Sequence, residues 1–70
     1  MTNPATLRTT VGAILASAAA AAVELGNFPL GACDVQCAFE CYFSEHPHRA
    51  KLGALEADTR AALARLGFAF

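Results

Sequence analysis

Residues 3–26 read NPATLRTTVGAILASAAAAAVELG, and the way this stretch begins and ends decides the fold class. Asn3 offers a side-chain oxygen to the free N–H groups of a first helical turn. Pro4 stands at the first helical position, where its missing N–H costs nothing, and Gly26 can take the left-handed conformation that closes a helix. The three signals together predict a helix over residues 3–25. At about 100° per residue, Leu7, Val11, Ile14, Leu15, Ala18, Ala22 and Leu25 fall on one stripe, while the rest of the surface is mostly alanine. One side is bulky, and the other is smooth enough for a second helix to approach closely.

Beyond Gly26, the run Asn27-Phe28-Pro29-Leu30-Gly31 breaks the helical pattern, because Pro29 disfavours helix at Phe28 and Gly31 adds freedom. A second helix is expected over about residues 33–45, with Asp34 in its first turn and Pro47 just past its end. A third is expected over about residues 48–66, with Pro47 at its first turn, Gly67 as its stop, and Glu56 four residues before Arg60. Leu52, Leu55, Thr59, Ala62, Leu63 and Leu66 make one face of it, and Ala50, Ala54, Ala57, Ala61 and Ala64 make the opposite one. No segment alternates with the period of a strand, and no long repeat occurs. The expected fold is all-α: one small three-helix domain over residues 1–70, completed by self-association or by a partner.

The chain has 70 residues, five Lys plus Arg against six Asp plus Glu, and a net charge of −1. Without a basic stripe to neutralise phosphates, nucleic-acid binding is not expected. Hydrophobic residues make up 56% and charged ones 16%, a surplus of apolar surface that excludes disorder. A chain of this size hides only about 60% of its unfolded surface, so added stability from a disulfide, a metal or a second subunit is expected.

Thr9 to Val23 carries no charge and follows Arg8, which resembles a signal peptide with small-residue cleavage triplets. Its alanine content argues against cleavage. As a membrane span the uncharged run falls short of the roughly 20 residues that a bilayer requires, and Glu24 ends it. A cytoplasmic chain is expected, with export the alternative if the first helix acts as a signal peptide.

Cys33, Cys37 and Cys41 recur every four residues, which puts them on one ridge of the second helix. With Val35 set at 0°, the residues Val35, Ala38, Phe39, Tyr42, Phe43 and His46 cluster between about −60° and 80°, and the cysteines fall at about 160°, 200° and 240°. The thiols thus face away from the aromatic stripe, among Asp34, Gln36, Glu40, Ser44 and Glu45. Four roles remain open at this point. The thiols can pack against the alanine face of the first helix, or bind Cu(I) or Zn²⁺, the latter with His46 or His48 added. They can form a disulfide, which within a helix strains the backbone and is easier between chains. A nucleophilic role has the least support, since no adjacent base is visible and acidic neighbours oppose thiolate formation.

No phosphate loop, Ser/His/Asp set or HExxH motif is present, so an enzyme is not expected. Two helices with a bulky stripe opposite an alanine stripe leave apolar faces that one small unit cannot cover. The expected function is a non-enzymatic protein-binding module, an adaptor, accessory subunit or inhibitor. It would act without a cofactor and contact a protein partner or a second copy through Phe39, Tyr42, Phe43, Phe68 and Phe70. The alternative is copper or zinc held by Cys33, Cys37 and Cys41.

Overall fold

Asn3 sits in an extended conformation and accepts a hydrogen bond from the Ala5 N–H on its side-chain oxygen at 2.8 Å, so the first helix, α1, runs Pro4–Leu25. Its far end closes on Gly26 at φ 69°, with the Asn27 N–H donating to the Ala22 carbonyl at 2.9 Å. That left-handed residue turns the chain back and satisfies carbonyls that the last turn leaves free. The computed structural model describes residues 2–70: α1, then α2 (Ala32–Ser44), a 3₁₀ turn (Arg49–Lys51) and α3 (Gly53–Arg65). Among the described residues there is no strand, and the unit is all-helical with three α-helices.

Helix α2 starts one residue earlier than its sequence signals indicate, because the Asp34 carboxylate reaches back to accept the Gly31 N–H at 2.9 Å. The third helix differs more. Residues 48–52, expected to be its first turn and a half, lie outside it: Arg49–Lys51 form a separate 3₁₀ turn flanked by His48 and Leu52, and α3 begins only at Gly53. The His48 N–H donates to the ring Nδ1 of His46 at 3.1 Å, and Leu52 holds φ −107° and ψ 18°, outside the α-helical range. The hydrogen bonds here therefore close over three residues, as from the Lys51 N–H to the His48 carbonyl at 2.9 Å. The end of α3 repeats the device that closes α1. Gly67 takes φ 100°, and the Phe68 N–H donates to the Leu63 carbonyl at 2.9 Å, which folds the tail onto the core.

Ile14 and Ala18 from α1, Val35, Phe39 and Phe43 from α2, and Leu63 from α3 form one buried cluster. Helix α1 packs against both α2 and α3, and Thr2 adds a hydrogen bond from its hydroxyl to the Asp58 carboxylate of α3. The ring of Phe39 lies 4.9 Å from that of Phe43 and 5.2 Å from that of Phe70. Such pairs contribute roughly 0.5–1.5 kcal/mol each beyond area burial. The Arg60 guanidinium covers the outer side, 5.3 Å from both the Phe39 and the Phe70 ring centres.

Two residues placed on the apolar stripes lie outside the core: Leu25, the last residue of α1, is 71% exposed, and Leu66, just past the end of α3, is 57% exposed. The alanine faces are uncovered in the single chain, with Ala13, Ala16 and Ala20 of α1 and Ala54, Ala57, Ala61 and Ala64 of α3 all exposed. By length and composition α1 also meets the requirement for crossing a membrane, with 22 residues and a mean hydropathy of 1.4 in its most apolar part. In the folded unit Ile14 and Ala18 of this helix are buried against α2 and α3, and Val11 and Leu15 pack at the edge of the same cluster.

Candidate functional site

The aromatic residues singled out as partner contacts divide into two groups. Phe39 and Phe43, 1% and 0% exposed, are enclosed by α1 and α3 and present no surface on which another molecule can dock. Tyr42, Phe68 and Phe70 pack around them, half-buried. Phe39 and Phe43 thus belong to the unit's own core, while Tyr42, Phe68 and Phe70 keep part of their rings at the surface.

A groove of about 520 Å³ runs between the N-terminal half of α1 and the C-terminal half of α3, lined by Leu7, Val11, Gly12, Ala62 and Leu66 with Arg8 and Arg65 beside them. Its walls are apolar because the outer edge of the α1 stripe meets the end of the α3 stripe where neither has a further helix to cover it. Gly12 keeps the floor low, since a Cβ built there would meet nothing within 4 Å. Among the described residues the one ion pair joins Arg49 to Glu56 at 3.7 Å, which leaves the guanidinium groups of Arg8 and Arg65 without a carboxylate partner. This groove was missed by sequence reasoning that weighed aromatic rings. The glycine inside an otherwise alanine-rich helix was the signal that could have located it.

The second surface is the thiol ridge. Cys33, Cys37 and Cys41 are all free and exposed on the side of α2 opposite its buried stripe. Cys37 and Cys41 border two grooves at once. One is shared with Ser17, Ala21 and Leu25 of α1, and the other, about 440 Å³, with Arg49, Glu56 and Arg60. Cys33 stands a turn earlier, outside both. The Cys41 thiol is pushed above its ordinary pKa, first by the neighbouring Cys37 thiol, then by partial desolvation, and then by the carboxylates of Glu45 and Glu40.

His46 and His48 do not join the thiols. Their rings lie 6.0 Å apart at the α2–α3 junction, and His46 turns to Tyr42 and the start of α1. Among the described residues no group of three or more His, Cys, Asp or Glu side chains converges as a metal site. A closed four-ligand zinc centre of the kind built from Cys and His is therefore not assembled here. No family model, curated protein or solved structure matches the chain.

Two candidate surfaces thus stand out among the described residues. The α1–α3 groove offers apolar area with two positive charges beside it, suited to an apolar anchor that carries acidic neighbours. The ridge offers two adjacent soft nucleophiles in an acidic setting.

Proposed function

We propose that this chain is a non-enzymatic helical binding module, an adaptor, accessory subunit or inhibitor, that takes an acidic amphipathic helix of a partner protein into the groove between α1 and α3. The observation that carries this reading is the pairing of an apolar floor, Leu7, Val11, Gly12, Ala62 and Leu66, with two unpaired guanidinium groups, Arg8 and Arg65. A helix laid there would bury leucine-type anchors at i, i+3 and i+7 and place carboxylates against the arginines. Val23, Leu25 and Phe28, 57–71% exposed at the far end of α1, add apolar area for contacts beyond the groove. A cytoplasmic location, where the cell keeps thiols reduced, goes with this reading. Export stays the alternative if α1 serves as a signal peptide.

The test uses a fluorescein-labelled helical peptide with leucines at that spacing and glutamates on its flanks, and a second peptide with lysines in their place. Fluorescence anisotropy is expected to show the acidic peptide binding at least about tenfold tighter, a difference of about 1.4 kcal/mol. Gly12→Leu, which fills open space without a clash, is expected to weaken it by a similar factor while the circular dichroism stays helical. Equal binding of both peptides, or no effect of Gly12→Leu, overturns the reading. Light scattering decides the remaining occupant. A dimer at micromolar concentration that Gly12→Leu dissociates identifies a second copy of the chain as what fills the groove.

A further inference from the structure

The geometry points to a second site, separate from the groove: we propose that Cys37 and Cys41 form a two-thiolate site for a soft monovalent cation of the Cu(I) type, with Cys33 not required. The argument rests on what residues four apart on a helix can and cannot do. Their Cβ atoms are separated by about 5–6 Å. A disulfide needs about 4 Å between Cβ atoms, so closing one here would bend α2, which runs unbroken from Ala32 to Ser44. An ion held between two sulfurs, with metal–sulfur bonds of about 2.3 Å each, spans about 4.6 Å and fits the undistorted helix. The same spacing that opposes a disulfide accommodates a bridging ion.

The number of donors selects the ion. Zinc requires four ligands, and no third His, Cys, Asp or Glu converges on this pair among the described residues. A d¹⁰ monovalent ion is satisfied by two thiolates in a line, and thiolates are the ligands that select it over harder metals. The charge balance of the step is explicit. Binding exchanges two thiol protons for one cation, Cu⁺ + 2 RSH → [Cu(SR)₂]⁻ + 2 H⁺, so the complex carries one negative charge. The groove that both cysteines border is lined by Arg49 and Arg60 together with Glu40 and Glu56, Arg49 being paired with Glu56 and Arg60 lying over Phe39 and Phe70, so charges of both signs stand near the pair. Both sulfurs are exposed, so the ion can enter without any opening of the fold.

The experiment titrates the reduced, full-length protein anaerobically with Cu(I) supplied as its acetonitrile complex, in competition with the chromophoric chelator bathocuproine disulfonate. Ag(I) serves as a redox-inert second probe. One tightly held ion per monomer is expected, with an ultraviolet thiolate-to-metal band. Cys37→Ser and Cys41→Ser are each expected to weaken binding at least a hundredfold, and Cys33→Ser less than threefold. Circular dichroism confirms that each serine variant stays folded. Loss of binding in Cys33→Ser equal to that in Cys37→Ser overturns the two-thiolate assignment. So does one ion per two chains with a doubled mass, or failure to compete with the chelator at all. Because Gly12→Leu lies in the other surface and is expected to bind Cu(I) as the wild type does, this outcome and that of the peptide experiment are read independently.

Discussion

Thr59→Val is expected to stabilise the protein. Thr59 is 0% exposed, and its hydroxyl is the buried side-chain polar atom that finds no hydrogen-bond partner among the described residues. Burying an unsatisfied hydroxyl costs about 1–3 kcal/mol, a cost that valine removes while putting a methyl group in nearly the same space. Thr and Val have similar helix propensities, so the backbone term cancels. The net gain is about 1–2 kcal/mol, which for a domain of this size raises Tm by roughly 4–8 °C per kcal/mol. Thermal and urea unfolding followed by circular dichroism measure it, with an unchanged urea slope confirming that the compactness of both states is preserved. Thr59→Ser serves as the control, since it keeps the hydroxyl, loses the methyl and is expected to destabilise. A valine variant less stable than the wild type refutes the reasoning. It would mean that the hydroxyl donates to a carbonyl one turn back, as Thr10 does to Thr6 at 2.9 Å.

Phe39→Ala is expected to cost about 3–5 kcal/mol and leave the chain largely unfolded at 25 °C, whereas Cys37→Ser, on the exposed side of the same helix, is expected to shift stability by about 0.5 kcal/mol or less. Urea melts of the two variants check the contrast, and equal costs would contradict the assignment of faces. Gly12→Ala is expected to stabilise by about 0.5–1 kcal/mol, since the position is an exposed helix interior with open space for a Cβ; an unchanged or lower Tm would count against it. With its pKa raised, Cys41 has a smaller thiolate fraction at pH 8 in the folded chain than in the unfolded one. Iodoacetamide is therefore expected to label it more slowly in buffer than in urea. The gap should close as pH rises past the folded pKa and narrow in Cys37→Ser, as peptide mapping by mass spectrometry would show.

Helix α1 was legible nearly to the residue, because Asn3, Pro4 and Gly26 act through local backbone geometry that a sequence displays directly. The buried stripe of α2 followed from periodicity, and Val35, Phe39 and Phe43 are its centre. The start of α3 was not legible. Pro47 is compatible with either a helix start or a turn, and the outcome depends on the His46 ring capturing the His48 N–H, a side-chain choice that no periodicity encodes. The site was the least legible part. Aromatic residues are equally good core and interface material, and only the placement of α1 and α3 over Phe39 and Phe43 shows which role they take. The groove, formed by residues of α1 and of the end of the α3 region that are far apart in the chain, exists only through tertiary packing.

The length of α1 bears on the order in which the molecule assembles. At about 1.5 Å per residue its 22 residues extend about 33 Å, nearly the full 36 Å long axis of the unit. The two shorter helices both lean on it. Helix α2 follows after a short connector and reaches α1 by closing a small loop, a local event with little entropy to overcome. Helix α3 must return from the other end of the chain to the start of α1. An α1–α2 hairpin is therefore expected to form first and open last, with α3 docking as the late, reversible element. Amide hydrogen exchange is expected to show protection decreasing from the Ala18–Ala22 turn of α1 to α3, and equal protection of all three helices would rule this order out. Since the groove has α3 as one wall, whatever binds there would lose affinity in proportion to any undocked population of α3, and would in turn hold α3 in place.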